Sequence, residues 1–118
     1  MKQTSVGIGA SRELLAARYL RQKGYKIQQL NYRCAVGEID IVARLSGIYV
    51  FVEVRSRKND DFGSPEESVD EFKRRRIVKT AHCYIKEHSL YNSDFRFDVV
   101  AFSGGRLEHY ENAFDAEG

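Results

Sequence analysis

Apolar and polar residues alternate on both sides of Ser46-Gly47. Ile39, Ile41, Ala43 and Leu45 precede this pair, and Ile48, Val50, Val52 and Val54 follow it. Successive side chains in a strand point to opposite faces. A two-residue loop containing Gly between β-branched runs marks a hairpin. Pairing Leu45 with Ile48 sets the register: Val42 faces Phe51, Asp40 faces Glu53 and Glu38 faces Arg55. One face of the hairpin is then wholly apolar and packs on a core. The other carries Val42 and Phe51 in its middle and Glu38, Asp40, Glu53 and Arg55 at its far end. A slip of one residue would turn the charges onto the apolar face, so the register is strongly specified.

The other elements follow from similar patterns. Residues 11–23 predict a helix, capped by Ser11 and stopped by Gly24. Glu13, Ala16, Ala17 and Leu20 share its inward stripe, flanked by Leu14 and Tyr19. The preceding Gly7 and Gly9 look like part of a GxGxxG loop, but no strand precedes them and Arg12 occupies the third glycine position. Dinucleotide binding is therefore dismissed, and the glycines are expected to give a flexible lead into the helix. Residues 25–32 predict a strand with room for a bulge. A polar loop over 58–64 could close over a ligand. Ser64-Pro65-Glu66-Glu67 then has the form of a capping box, opening a helix that runs to about His88 with a break near Val69-Asp70. Its apolar positions are Val69, Phe72, Ile77, Ala81, Tyr84 and Ile85. Phe95 to Phe102 is apolar on both faces, as a central strand requires. Leu107 to Tyr110 predicts a last strand, and the chain from Glu111 is expected to lead into a frayed tail. The order α-β-β-β-α-β-β implies an α/β sandwich on a mixed sheet of about five strands. The long helix would be a right-handed crossover that sets the third and fourth strands parallel.

A chain of 118 residues suits one domain over 1–118, with 1–6 and 115–118 expected to be flexible. No apolar run reaches the length of a membrane span, which argues against a membrane partner. The first residues contain no apolar signal core, so a cytoplasmic protein is expected. Cys34 and Cys83 are the only cysteines and form no CxxC, which fits free thiols in a reducing compartment. The net charge of +2 implies no nucleic-acid partner by itself, but the basic residues cluster. Arg55, Arg57 and Lys58 form one group; Lys73, Arg74, Arg75, Arg76 and Lys79 form another.

Chemistry concentrates at the charged end of the hairpin. Facing carboxylates repel, so either one holds a proton or a cation lies between them. Mg²⁺ or Mn²⁺ would suit Asp40 and Glu53, because such ions take one or two carboxylates and complete their shell with substrate phosphate. The competing reading is a solvated hairpin end with a Glu38–Arg55 pair. Glu13 is either a third acid or a carboxylate that favours the helix dipole. The second basic cluster is either the wet face of an amphipathic helix or, with the first, a positive rim for a phosphodiester. Tyr49 and Phe51 could stack on bases, but core packing suits both better. His82, His88 and His109 lack metal-ligand spacing and read as structural or exposed. Asp98 most simply pairs with a nearby base.

These blocks together resemble a known family. Glu13-Leu-Leu-Ala-Ala-Arg-Tyr-Leu20, Gly24-Tyr25, Gly37-Glu-Ile-Asp40, Phe51-Val-Glu-Val-Arg-Ser-Arg57, Gly63-Ser-Pro65, Lys73 with Arg76-Ile77, and Arg96-Phe-Asp-Val99 are similar to the YraN-like proteins of bacteria. The resemblance covers about residues 7 to 114 and implies a restriction-endonuclease-like, PD-(D/E)XK core akin to archaeal Holliday-junction resolvases. By that resemblance Asp40 is the metal-binding Asp of the second strand, while Glu53 and Arg55 are the ends of the (D/E)XK triplet. The resemblance also makes the Val54 carbonyl a further ligand and Glu13 the helix-borne acid of the resolvase branch. It implies Mg²⁺- or Mn²⁺-dependent cleavage of DNA, rather than RNA, that is branched or partly single-stranded, and a homodimer. Arg57, Lys58, Lys73 and Arg76 would grip the phosphate backbone. Arg55 stands where the superfamily has lysine; arginine can stabilise phosphate charge but cannot act as a general base. The rival expectations are a non-catalytic nucleic-acid-binding module and an interaction domain that binds no nucleic acid.

Overall fold

The computed structural model describes residues 7–57 and 71–116, with backbone alone for 7–10 and 57. The elements run α1 (Gly7–Gln22), β1 (Lys26–Cys34), β2 (Gly37–Leu45), β3 (Ile48–Arg57), α2 (Glu71–Glu87), β4 (Asp94–Ser103) and β5 (Arg106–Phe114). The strands form one mixed sheet in the order β1-β2-β3-β4-β5. Among the described residues, only β3 and β4 pair in parallel, with α2 between them in the chain, as the helical crossover predicts.

The hairpin keeps its predicted register from Ile41–Val52 to Leu45–Ile48. Its turn has positive φ at both Ser46 (51°) and Gly47 (83°), the twist that a two-residue hairpin loop needs. Among the described residues, each sheet face receives one helix. Ala16, Ala17 and Leu20 of α1 pack with Ile41, Ala43, Val50, Val52 and Val100. Ile77, Ala81 and Tyr84 of α2 pack with Val42, Phe51, Phe97 and Val99 on the opposite face. Complete burial of a side chain such as Leu20 stabilises by about 1.5–3 kcal/mol.

The structure corrects the expected outline in several places. Helix α1 begins at Gly7, so Gly7 and Gly9 are helical and Ser11 lies inside the helix rather than capping it. A glycine costs a helix only about 1 kcal/mol, which lowers its stability without forbidding it. Gly24 does end the helix: φ is +98°, its N–H reaches the Arg21 carbonyl and the Tyr25 N–H reaches that of Leu20. Phe72, expected inward, is 69% exposed, and Leu14, flanking the inward stripe of α1, is 60% exposed. The predicted capping box and the break at Val69-Asp70 lie outside the described residues. Strand β5 continues to Phe114, past the end expected at Tyr110. Asn112 takes φ +53° and absorbs a register shift, so that Phe114 stacks on Phe97 at 5.1 Å.

The face alternation breaks in two adjacent strands at one level. Leu30 and Ile41 belong to the α1 side, whereas Tyr32 and Ile39, two residues along each chain, belong to the α2 side. Ile39 therefore departs from its predicted face. Asn31, between Leu30 and Tyr32, has φ +54°, and that left-handed residue turns the paired strands together. The bulge foreseen in β1 falls between Ile27 and Gln29.

Gly37 packs β2 against α2. A Cβ there would stand 2.6 Å from Thr80 Oγ1, which is fully buried and donates to the Arg76 carbonyl at 2.7 Å. Gly37→Ala should cost about 1–3 kcal/mol in urea unfolding. Adding Thr80→Ala should make the alanine nearly neutral; a full, additive penalty in the double variant would refute the clash.

Candidate metal and phosphate site

The hairpin ladder stops where the acids begin. Ile41–Val52 is its last backbone pair, so Asp40 and Glu53 are not ladder partners as the register had predicted. Asp40 Oδ2 instead accepts the Val54 N–H at 2.8 Å. A side chain thus replaces a backbone acceptor, and the strands part around the carboxylates.

Glu53 is 8% exposed, an unusual position for an acid. Lys73, from the first turn of α2, donates to its Oε2 at 2.7 Å, and Arg55 approaches the same oxygen at 3.8 Å. Glu13 of α1 interacts electrostatically with Asp40 and Asn31. The hairpin and both helices therefore contribute to one end of the sheet. Glu38, Asp40, Glu53, Phe72, Lys73, Arg76 and Ile77 line a cleft of about 450 Å³ there. The Arg76 guanidinium lies 5.7 Å from the centre of the Phe72 ring on its rim.

Burial and mutual repulsion hold these acids on their protons. Burial first, then the Glu13 charge, pushes Asp40 up to about 6, against the Val54 N–H that favours its ionised form. Burial and the Asp40 charge push Glu53 up to about 7, although Lys73 and Arg55 oppose them. Burial also raises Glu13. Both Asp40 and Glu53 bind protons more tightly in the folded than in the unfolded chain. Their contribution to stability is thus complete below about pH 4 and is lost as pH rises through about 6 to 7. Glu53→Gln should therefore be more stable than the parent by about 2 kcal/mol at pH 8 in EDTA, and equal to it at about pH 4. Saturating Mn²⁺ should raise the parent's Tm at pH 8 and leave that of the variant unmoved. An identical pH profile for the two proteins would refute this electrostatic account.

Among the described residues, no three of His, Cys, Asp and Glu stand close enough together to form a ready-made metal cage. The donor set still fits a hard cation. Mg²⁺ commonly uses one or two carboxylates and keeps waters or substrate oxygens in its other positions. Asp40 and Glu53 are crowded acids whose ionised forms a cation would stabilise.

The remaining expected site residues are divided. Arg76 is exposed on the cleft wall. Lys73, expected on the phosphate backbone, reaches inward to Glu53. The Arg57 side chain and Lys58 lie outside the described residues. Glu38 pairs with Arg33 at 3.6 Å rather than with Arg55. Sequence reasoning missed the role of Asn31, although asparagine is the residue other than glycine that best tolerates positive φ. It also missed Phe72 as part of the rim, since helical spacing alone assigned it to the core. The histidines stand as expected: His82 and His88 are exposed, and His109 has a structural role.

A family model described as "Uncharacterised protein family UPF0102" matches residues 12–102. The chain belongs to the UPF0102 family. This is the YraN-like family that the sequence resembles. The match spans Glu13, Asp40, Glu53, Arg55, Lys73 and Arg76. The UPF0102 protein SYO3AOP1_0546 of Sulfurihydrogenibium sp. is 51% identical over 102 residues, covering 86% of this chain and 89% of its own. The UPF0102 protein of Lachnoclostridium phytofermentans is 48% identical over 111 residues, covering 93% and 94%. Among solved structures, one titled "Crystal structure of SSO0001" aligns with a TM-score of 0.44 at 16% identity. It covers 92% of this chain, which spans about half (53%) of that longer one. Among the described residues, no helix of this UPF0102 protein is long and apolar enough to cross a membrane.

Proposed function

We propose that this UPF0102 protein is a metal-dependent endonuclease with a PD-(D/E)XK-type site that hydrolyses DNA phosphodiesters. The observation that carries the reading is the proton-hungry pair of half-buried Asp40 and buried Glu53 in a cleft also lined by Glu38, Lys73 and Arg76, with Arg55 3.8 Å from Glu53. Buried like charges are costly to a fold, and a cation brought with an anionic substrate would relieve that cost.

Asp40 and Glu53 would hold Mg²⁺ or Mn²⁺, with Glu13 adjusting the proton on Asp40. Such an ion supplies Lewis acidity toward the scissile phosphate and the attacking water. Asp40 is kept in place by the Val54 N–H, so its carboxylate need not reorganise when a cation arrives. Arg55 would stabilise charge developing on the phosphate. Lys73 supplies, from α2, the ammonium that the Arg55 position of β3 lacks, and it would move from Glu53 to the phosphate when a cation takes the carboxylate. Arg76 would grip the neighbouring backbone, which positions DNA without reading sequence.

A second reading has its own support. The Lys73–Glu53 pair already neutralises one acid without any metal. A nucleic-acid-binding module that performs no chemistry would need nothing more. Purified protein incubated with duplex, single-stranded and branched DNA in Mg²⁺ or Mn²⁺ separates the two readings. Cleavage that stops with EDTA supports the nuclease. Binding that weakens steeply with salt, without cleavage in either metal, supports the module. Cleavage that persists in Asp40→Asn and Glu53→Gln would refute the site.

A further inference from the structure

We propose that Cys34 and Cys83 form a modification site, at which oxidation by a hydroperoxide closes a reversible disulfide between β1 and α2. The proposal stands apart from the nuclease reading and survives its failure.

The two cysteines are 49 residues apart, yet their Sγ atoms share a hydrogen bond at 2.8 Å. A disulfide bond is about 2.05 Å, so the sulfurs need to approach by less than 1 Å. Both residues are only partly buried, which leaves them open to a small oxidant. The surroundings favour Cys34 as the attacking sulfur. Burial pushes its thiol up, but hydrogen bonds from Cys83, the Val36 and Gly37 backbone and Thr80 outweigh that and bring it below its ordinary value. Cys83 moves the other way, chiefly through its hydrogen bond to Cys34. Cys34 is thus the better attacking sulfur and its neighbour the resolving thiol.

The chemistry balances with one peroxide. The Cys34 thiolate attacks a peroxide oxygen and the O–O bond breaks. Cys34 becomes a sulfenic acid, and the departing oxygen takes a proton to leave as water, or as an alcohol from an organic hydroperoxide. The Cys83 sulfur then attacks the Cys34 sulfur. The S–S bond forms, the S–O bond breaks, and the proton of Cys83 leaves with the hydroxide as water. The two cysteines lose two electrons, and the peroxide takes both. A dithiol reverses the step by exchange.

The position of the bond gives it a consequence. Cys34 ends β1 and pairs with Gly37, the residue that packs against Thr80. Cys83 lies on the helix that carries Lys73 and Arg76. Tyr32 and Tyr84 already meet edge to face at 5.2 Å beside this contact. A covalent link here pins α2, one wall of the cleft, to the sheet.

Reduced full-length protein treated with hydrogen peroxide tests the proposal. Intact mass should fall by about 2 Da, and digestion should yield one Cys34–Cys83 bridged peptide that dithiothreitol separates. The oxidised chain should melt about 10 °C higher, because a bridge closing a loop of this length restricts the unfolded chain. Amide exchange within residues 71–87 should slow several-fold relative to the reduced protein. Cys83→Ser should gain mass in steps of about 16 Da and show no rise in Tm. Mass gain without a bridged peptide in the parent, or bridges only between separate chains, would overturn the site. A bridge that leaves exchange in 71–87 unchanged would overturn its pinning of the wall.

Discussion

Asp40→Asn and Glu53→Gln are each expected to lower Mg²⁺-dependent cleavage by about a thousandfold or more, the several kcal/mol that a correctly held metal contributes to phosphoryl chemistry. Each substitution removes one negative charge while keeping the side chain's shape. Asp40→Asn retains an oxygen for the Val54 N–H, so the parting of β2 from β3 should persist. Glu53→Gln leaves Lys73 without its carboxylate, but the Lys73 side chain is 45% exposed and can be hydrated. Neither variant should unfold, and both should bind DNA at least as well as the parent, having lost charges that repel phosphate. Cleavage by single-turnover kinetics and binding by anisotropy, measured on the same preparations, check this. A joint loss of cleavage and folding would give no support to the metal site. Undiminished cleavage would exclude it.

Asp98→Ala should be the most damaging single change to stability, at about 3–5 kcal/mol, lowering Tm by about 10–20 °C. Asp98 is fully buried on β4 and forms the hub of a polar network. Arg96 grips it with two nitrogens at 2.9 Å each, His109 Nε2 donates at 2.7 Å and the Asn112 N–H at 2.9 Å. Arg96 also donates to the Tyr25 hydroxyl at 2.6 Å, and His109 Nδ1 meets the Tyr19 hydroxyl at 3.2 Å. The network thus joins β4 and β5 to α1 and to Tyr25, the residue before β1. Burial alone would raise the Asp98 carboxyl, but His109, Arg96 and the Asn112 N–H outweigh it and hold it below its ordinary range. Its contribution is therefore present above the unfolded carboxylate pKa and lost as pH falls. Without the carboxylate, the buried His109 ring loses its Nε2 acceptor and the half-buried Arg96 loses both of its short charged bonds. Glu111→Ala is the control: its pair with Arg96 is longer, at 3.8 Å, and Glu111 is 60% exposed, so about 0.5 kcal/mol or less is expected. Equal denaturation midpoints for the two variants would refute the hub.

The two predictions fall on opposite sides of what could be read from the chain. Hairpin register follows from strict alternation, a local property with period two, and the structure keeps it over the five pairs from Ile41–Val52 to Leu45–Ile48. That register brought Asp40 and Glu53 to one end of one ribbon before any tertiary contact was known. Asp98 was legible only as an acid in need of a base. Its partners lie on β4 itself and on β5, their own partners lie on α1 and at Tyr25, and no periodicity within one segment reports which elements meet. The same limit explains Lys73. Helical spacing places it beside the apolar stripe of α2 but cannot show that its ammonium reaches Glu53 across the crossover. Phe72 was assigned inward for the complementary reason, since spacing identifies a stripe without showing where the helix overhangs the sheet. Asn112 and Asn31 mark a third gap. A single left-handed residue can extend or turn a strand, and in the sequence it looks like an ordinary polar position.

The sequence by itself determined the order of elements, the parallel β3–β4 crossover, the hairpin and the family to which the chain belongs. Each of these depends on short-range pattern or on residue identity in a fixed order. Tertiary structure alone decided that the β2–β3 ladder ends at Ile41–Val52, that Asp40 caps the Val54 N–H, and that acids from α1, β2 and β3 gather beside a lysine from α2. It also decided that thiols 49 residues apart touch. Those features depend on where separate elements pack in space. Packing is set by the burial of two whole sheet faces rather than by any one stretch of chain.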